Sequence, residues 1–274
     1  DAADIYNKLI AELDQAVTDL KASSSTLSPT AADDVVYRGD LRKWEKLAIS
    51  LKARLQLHRS KIDNGAYAAV LSTPSTGALA GNADNAMVNF GSSQTTGNPW
   101  FQFEDHRGDV VMGGFFIDLL DSLDDPRLPK FASLNGDDEY AGAHAGVSSE
   151  GPNASRFGSF YGASASPIPF LIYPEVKFME AEAAFPTDKT RAAQAYNDAV
   201  KASLAMFGVS NAQYEAENAS ETDATITLEK IMTQKYIALY TMPETFNDWR
   251  RTGLPDLQPA VGQTQIARRW PVAQ

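Results

Sequence analysis

The feature that most constrains the fold is a change of amino-acid composition and of hydrophobic periodicity along the chain. Residues 77–169 are dominated by Gly, Ser, Asn and Pro with scattered aromatic residues, whereas residues 1–76 and 170–274 show helical periodicity. Gly- and Asn-rich segments favour turns, and apolar residues that recur every three or four positions predict amphipathic helices. The sequence therefore predicts a single domain over 1–274, with an all-α scaffold holding a large, irregular, loop-rich insertion at 77–169.

Two amphipathic helices are predicted before the insertion. The first follows Asp4 and the second follows Asp40, each of which we interpret as an N-cap. A polar loop, "SSSTLSPTAADD", separates them. The apolar stripes expected to face the core are Ile5, Leu9, Leu13, Ala16, Val17 and Leu20 in the first helix and Leu41, Trp44, Leu47, Ala48, Leu51 and Leu55 in the second.

Helical patterning resumes after the insertion. In "YPEVKFMEAEAAF" Pro174 suits the first turn of a helix. The next segment, "TDKTRAAQAYNDAVKASLAMFG", places Ala192, Tyr196, Ala199 and Phe207 on one side, and a last long helix is predicted over "TLEKIMTQKYIALYTM". Inside the insertion we predict one short helix, around "GGFFIDLLDSL", and no convincing series of strands.

Two of these helices match halves of a tetratricopeptide repeat (TPR). Trp44-x-x-Leu47-Ala48-x-x-Leu51 fits the first-helix pattern, and an alanine–tyrosine–alanine spacing from Ala192 fits the second-helix pattern. Neither unit is complete, because Glu180 occupies a position where the repeat places a small residue. We therefore predict TPR-like helix pairs and not a regular array.

The charge balance excludes two classes of partner. The chain has 24 basic and 35 acidic residues, for a net charge of −11, whereas nucleic-acid binding depends on Lys and Arg neutralising phosphates. The same balance argues against docking on an anionic membrane surface. No cysteine is present, which removes thiolate chemistry. Because the sequence starts at Asp1 and ends in "RRWPVAQ", we interpret it as a processed or excised piece of a longer chain.

No catalytic or cofactor-binding pattern is recognisable. The nucleophile-elbow, zinc-protease, P-loop and dinucleotide-binding motifs are missing, and the three His are isolated from one another. Asp124 and Asp125 precede "PRLP" and are interpreted as turn and cap residues, and "NGDDE" as a solvated turn and not a calcium site. A glycoside hydrolase stays the weakest alternative, since acidic neighbours in sequence do not show two carboxylates facing across a cleft. We predict no catalytic residue, no metal and no cofactor.

The aromatic residues of the insertion indicate a binding site. They cluster in "NPWFQFED" and "SRFGSFYG", and polar loops cannot easily bury so many rings. Flat aromatic faces suit sugar rings, while polar side chains satisfy the hydroxyls. We expect Trp100 to be the stacking platform, followed by Phe101, Tyr140 and Tyr161, with Asn98, Glu104 and Arg107 as polar contacts. The alternative is that these rings fasten the insertion to the helices, in which case they should be buried.

The segment "ETFNDWRRTGLP" has two interpretations. Arg250 and Arg251 suggest an anion or carbohydrate site, whereas Phe246 and Trp249 suggest core packing. A family resemblance decides between them. "QKYIALYTMPETFNDWRRTGLPDL" resembles a long motif of the SusD/RagB family, with Tyr236 and Phe246 at positions where the family has Trp.

Other strings occur in the family's order. They are "IYNKLIAELDQAV", "KWEKLAISLKARLQLHRSKID", "DPRLPKF", "EYAGAHAG" and "FLIYPEVKFMEAEAAF". The resemblance covers essentially the whole chain and implies that the D-W-R-R-T-G segment is architectural. In that role Phe246 and Trp249 would pack, and Arg250 and Arg251 would pair with carboxylates or with the last carbonyls of a helix.

The resemblance also implies a function. SusD/RagB proteins are nutrient-binding lipoproteins of the Bacteroidetes outer membrane. We therefore expect a non-catalytic protein that binds a glycan at the cell surface and delivers it to a SusC-like TonB-dependent transporter. Family members are usually near twice this length and begin with a signal peptide and a lipidated Cys, so membrane attachment is expected only through a lipid anchor absent from this sequence. The alternative is a TPR-like scaffold that binds a peptide and no small ligand.

Overall fold

Helices make up most of the structure, which confirms the all-α prediction. The computed structural model describes residues 1–24 and 27–269. Within these residues the helices are α1 (Ala2–Leu20), α2 (Leu41–His58), α3 (Ala66–Thr76), α4 (Pro99–Arg107), α5 (Gly114–Ser122), α6 (Leu128–Phe131), α7 (Tyr173–Ala184), α8 (Lys189–Met206), α9 (Ala212–Asn218), α10 (Leu228–Ala238) and α11 (Glu244–Thr252). Two residues of the predicted Ser/Thr loop, Ser25 and Thr26, and the end of "RRWPVAQ" from Trp270 onward lie outside the described residues.

The start of α1 differs from the prediction. Asp1 is the N-cap, and its carboxylate accepts a hydrogen bond from the Asp4 N–H at 3.0 Å. Asp4 stands at the third helical position and completes a capping box, so its predicted role as the cap is wrong. The predicted cap of α2 is confirmed, because the Asp40 carboxylate accepts from the N–H groups of Arg42 and Lys43.

The inward faces of these two helices are rotated from those predicted. α1 packs mainly against α2, so Ile5 and Leu9 stay exposed (60% and 45%) and no residue of α1 is fully buried. α2 is covered by α1 on one side and by α3 and α7 on another. Its buried side chains are therefore Ala48, Ile49, Ser50, Ala53 and Leu57, and Leu41 of the predicted stripe is exposed.

Helix α7 is the centre of the scaffold. Phe178 and Ala181 contact the core formed with α8 and α10, while Met179 and Ala183 contact the core formed with α2 and α3. Pro174 lies in the first turn, as predicted. The TPR-like spacing of α8 is also confirmed, since Ala192, Tyr196 and Ala199 are each at most 2% exposed. Small residues on both helices let their backbones approach closely.

Three carboxylates of α7 are buried, and each is paired with a cation. Glu175 accepts two hydrogen bonds of 2.6 Å from Arg54 on α2. Glu180, at the position where a repeat has a small residue, pairs with Lys177 and Arg191 at 2.8 Å each. Glu182 pairs with Arg251 on α11. Charge pairing thus joins the central helix to α2, α8 and α11.

The segment 77–169 is more regular than predicted. Strands β1 (Ala86–Val88) and β2 (Ile168–Leu171) form an antiparallel pair that the sequence did not indicate, and this pair brings the two ends of the segment together. The predicted short helix is confirmed as α5. The segment "NPWFQFED", which we expected to be a loop, forms α4, because Asn98 caps it and Pro99 fits its first turn.

The predicted last long helix is confirmed as α10, but it ends earlier than predicted, and a separate helix follows it. α10 ends at Ala238, and Thr241 has φ of +75°, a left-handed conformation that interrupts the helix. The chain then turns into α11, which contains the "ETFNDWRRT" string and ends at Gly253 with φ of +78°. Among the described residues no helix combines the length and apolar character needed to cross a membrane.

Asp34 organises the loop before α2. Its carboxylate accepts hydrogen bonds from the N–H groups of Val36, Tyr37 and Gly39 and from the Trp44 indole at 2.8–3.0 Å. Burial opposes ionisation of Asp34, but these four donors outweigh it and lower its pKa from 3.8 to about 2. The loop and α2 are therefore joined through one ionised carboxylate.

Replacing Asp34 with Asn is expected to lower the free energy of unfolding at pH 7 by about 2 kcal/mol. This is the free energy that corresponds to the difference between the pKa of Asp34 in the unfolded state and in the folded state. A lowered folded-state pKa stabilises above the unfolded-state value, so the contribution is lost as the pH falls from about 4 to about 2. Urea denaturation at several pH values measures the difference between wild type and Asp34→Asn. The exposed Asp223→Asn is the control, and a difference that is as large at pH 2 as at pH 7 would contradict the assignment.

Candidate functional site

Helix α4 presents the exposed aromatic residues of the segment 77–169. The buried Asn98 begins this helix: its Oδ1 accepts from the N–H groups of Trp100 (2.7 Å) and Phe101 (3.3 Å). Its Nδ2 donates to the Ser166 carbonyl at 2.8 Å, which fastens α4 to the other end of the segment. With 2% exposure, Asn98 positions the helix, and its amide is already satisfied by the backbone.

One face of α4 combines aromatic rings with a cation. Trp100 and Phe103 are 38% and 47% exposed, and they lie three residues apart on the same side of the helix. The guanidinium of Arg107 stands over the Phe103 ring, 5.1 Å from its centroid. The ring of Phe157 lies 5.4 Å from that of Trp100 at an interplanar angle of 36°. We call Trp100, Phe103, Arg107 and Phe157 the α4 aromatic face.

Charged side chains surround this face in pairs. Glu104 forms an ion pair with Arg156, the neighbour of Phe157, and its other oxygen accepts from the Val110 N–H at 3.0 Å. Arg107 donates to the Asp109 carboxylate at 2.6 and 2.9 Å. The Arg107 hydrogen bond lowers the pKa of Asp109, which stays ionised. Donors and acceptors of both signs therefore border the exposed rings.

Other predicted site residues lie in a second environment. Tyr161 is 3% exposed and belongs to an aromatic core with Phe131, Phe207 and Tyr240. Burial raises the pKa of its hydroxyl. Tyr140 is half-buried against the same cluster. The interpretation that rings fasten this segment to the helices therefore holds for Tyr161, whose face is covered by other rings.

The structure thus brings Trp100, Glu104 and Arg107 together and leaves Phe101 half-buried on the same helix. Phe103, Phe157 and Arg156 complete the exposed face, although the sequence argument did not choose them. A helical spacing of three from Trp100 could have identified Phe103. The contact of Phe157 with Trp100 depends on tertiary packing, and no local pattern indicates it.

Two of the three histidines each lie between two hydrogen-bond partners. His58 lies between the Tyr6 hydroxyl (3.1 Å) and the Glu244 carboxylate (2.6 Å). His144 is exposed between Asp118 (2.9 Å) and Glu150 (3.0 Å), whose hydrogen bonds raise its pKa. Within residues 1–24 and 27–269, no group of three or more His, Asp and Glu side chains is arranged to hold a metal ion.

The structure thus consists of helix pairs around a buried central helix, joined to a segment that exposes aromatic rings. A family model for SusD-like proteins, described as starch-binding and associating with the outer membrane, matches residues 1–272. The chain belongs to this SusD-like family. A comparison with curated proteins finds no match.

Solved structures are similar over nearly the whole chain. A SusD homolog from Bacteroides uniformis is 26% identical, with a TM-score of 0.79, and the match covers 95% of this chain and 62% of that one. A chitin-binding protein is 27% identical with a TM-score of 0.75, over 94% of this chain and 61% of that one. A chitin-binding SusD homolog from Flavobacterium johnsoniae shares the fold, with a TM-score of 0.80, 24% identity and coverage of 94% and 62%. The chain therefore spans less than two thirds of the length of these relatives.

Proposed function

We propose that this chain is the glycan-binding region of a non-catalytic nutrient-binding protein of the bacterial cell surface. The observation that supports the proposal is the α4 aromatic face, where Trp100 and Phe103 expose their rings beside ion-paired polar groups. An exposed ring can stack on the apolar face of a sugar, and the bordering carboxylates and guanidinia can hydrogen-bond its hydroxyls. The family description and the chitin-binding relatives agree with a glycan ligand.

Trp100 and Phe103 would supply most of the affinity. Both belong to a helix whose start is fixed by the buried Asn98, so little conformational freedom would be lost on binding. The tilted contact with Phe157 supports the Trp100 ring from one side. Glu104 and Arg107 would act as polar contacts once a sugar hydroxyl competes for their oxygens and N–H groups. Tyr161 does not enter the proposal, because its ring is buried.

A binding function is favoured over catalysis and over peptide recognition. Membership of a family of carbohydrate-binding proteins supports a protein that is not an enzyme. The peptide-scaffold alternative would leave the aromatic rings buried against the helices, whereas Trp100 and Phe103 are exposed. A glycan ligand uses both of these rings.

The proposal includes a partner and a location. The family is described as associating with the outer membrane, and the resemblance to SusD/RagB proteins implies delivery to a SusC-like TonB-dependent transporter. Attachment through a lipid anchor is part of the same expectation. Copurification of the full-length protein with such a transporter from outer membranes tests the partnership, and recovery of the protein alone would contradict it.

Affinity electrophoresis against soluble starch, chitin oligosaccharides and other glycans tests the binding function. We expect one class of glycan to retard the protein, and Trp100→Ala or Phe103→Ala to weaken binding by about 1–3 kcal/mol, the range for one stacked ring. Phe170→Ala is the matched control for Phe103→Ala, since Phe170 is similarly exposed (52% against 47%) and lies on β2, outside the α4 aromatic face. Equal retardation of wild type and both α4 variants would contradict the site.

A further inference from the structure

A second concave site lies at the C-terminal end of the scaffold. A pocket of about 330 Å³ opens between α1, the end of α2 and α11. Its volume lies near the lower limit of small-molecule sites, which span about 300–1,000 Å³. None of its lining residues belongs to the α4 aromatic face, so an assignment here is independent of the proposed glycan site.

The lining of this pocket is cationic. Lys61, Arg250 and Arg268 line it, and no Asp or Glu does. Among the described residues, none of these three cations forms an ion pair with a carboxylate, although acidic side chains outnumber basic ones by 35 to 24. Three cations around one concavity create a positive potential that favours an anion.

Aromatic rings, and not carboxylates, hold the two exposed guanidinium groups. Arg250 lies over the Phe246 ring at 5.6 Å, and Arg268 lies over the Trp249 ring at 5.1 Å. Arg268 also donates to the backbone carbonyl of Arg250 at 3.3 Å, which links the Arg268 side chain to α11. Stacking on a ring leaves the in-plane N–H donors of a guanidinium free for a planar acceptor. The donors are therefore positioned and still open to a ligand.

Arg251 forms part of the inner wall of the pocket, and its guanidinium is occupied by carboxylates. Arg251 lines the pocket and directs its terminal nitrogens to Glu182 and Asp248, but its buried Nε–H has no acceptor among the described residues. That nitrogen is shielded from solvent, so the donors that the pocket offers to an anion are those of Lys61, Arg250 and Arg268. Asn247 lies beside Arg251 on the same lining.

From this geometry we propose that the pocket binds the oxyanion group of a small ligand, a carboxylate, sulfate or phosphate. Arg250 offers a fork of donors that matches a planar or tetrahedral oxyanion in a bidentate manner. Lys61 supplies a point charge from the α2 side, and Arg268 closes the third side. The volume admits a ligand of monosaccharide size, such as an acidic sugar, or an inorganic anion.

Isothermal titration calorimetry at low ionic strength, using the 274-residue chain, tests the proposal with glucuronate, sulfate and phosphate as probes. We expect saturable binding of at least one probe, with sodium chloride at matched ionic strength giving none. Arg250→Gln and Lys61→Gln should each weaken binding about tenfold or more, the loss expected for one charge-assisted hydrogen bond. Preference for glucuronate would identify an acidic sugar as the ligand. Equal binding of sulfate and phosphate would identify an inorganic anion as the ligand.

Matched controls separate the site from general charge effects. Arg42→Gln and Lys201→Gln remove the same charges from exposed positions of α2 and α8 that do not line the pocket. The proposal is overturned if these controls weaken binding as much as the pocket variants, or if no probe binds beyond the chloride control. Circular dichroism confirms folding of each variant, and Lys61→Gln keeps the test decisive should Arg250→Gln fail to fold.

Discussion

Replacing Asp125 with Asn is expected to lower the free energy of unfolding by about 3–5 kcal/mol, the cost of leaving a buried charge without its partner. Arg127 is fully buried, and its Nε and Nη2 donate to the two oxygens of Asp125 at 2.9 and 2.6 Å. Arg127 Nη1 also donates to Ser203 (2.7 Å) and its Nη2 to Gln234 (2.8 Å), and the Tyr214 hydroxyl donates to Asp125 at 2.7 Å.

The size of this effect follows from where the cluster lies. Arg127 immediately precedes α6, whereas its partners lie on α8, α9 and α10, so one guanidinium joins the segment 77–169 to three helices of the scaffold. Burial alone would lower the pKa of Arg127, but Asp125 outweighs it and raises that pKa. With Asn at position 125, the Arg127 guanidinium stays charged and buried, but the Asp125 carboxylate that neutralises it is gone.

Asp124 supplies the control, because it is the neighbouring residue and is exposed. Asp124→Asn removes the same charge by the same substitution and is expected to change stability by no more than about 0.5 kcal/mol, as for most surface positions. Urea denaturation followed by circular dichroism measures both variants. A cost below about 1 kcal/mol for Asp125→Asn would contradict the prediction and would mean that the buried guanidinium of Arg127 does not depend on Asp125 as its counterion.

The adjacent aspartates also show where a sequence argument ends. We interpreted both as turn and cap residues, and for Asp125 this is incomplete: it caps the Arg127 N–H at 2.9 Å and is also a buried counterion. A local pattern can identify a cap, because cap and donor lie within a few residues. It cannot identify a counterion whose role depends on Ser203, Tyr214 and Gln234, which lie far along the chain.

The same distinction applies to the helices and to the candidate site. Asp40 and Pro174 were predicted correctly because they act on the turn that follows them. Helix α4 was missed although Asn98, Pro99 and Gly108 mark its ends, because the surrounding Gly and Ser residues favoured a loop. Trp100 was identified as a candidate from its polar, Gly-rich surroundings. The burial of Tyr161 depends on Phe131, Phe207 and Tyr240, and sequence position alone does not place those rings around it.

The two arginines of "DWRRTG" have different environments, and this difference can be measured. Arg251 is buried on α11, pairs with Glu182 on α7, and donates to Asp248 at 2.7 Å. Lys235 on α10 is also buried, 2.7 Å from the other oxygen of Asp248. Burial opposes its charged form, but Asp248 and Glu182 outweigh burial and raise the pKa of Lys235. Two cations and two carboxylates therefore balance inside the scaffold.

Arg250 does not follow the architectural prediction. Arg250 is exposed, has no carboxylate partner among the described residues, and lies over the ring of Phe246. Phe246 was predicted to pack in the core, but it is 40% exposed. Trp249 is 6% exposed and is buried as predicted. Position on the helix explains the difference, since consecutive residues point about 100° apart and only one of the two arginines can face α7.

Arg251→Gln is therefore expected to destabilise the protein by about 3–5 kcal/mol, because Glu182 and Asp248 would then share only Lys235 in a buried site. Arg250→Gln should change stability by no more than about 0.5 kcal/mol, as at other exposed positions, while weakening anion binding at the pocket. Urea denaturation of the two variants, which differ only in which adjacent arginine is replaced, measures this contrast. Equal stability losses would mean that both arginines support the fold, as the sequence suggested, and would remove Arg250 from the proposed anion site.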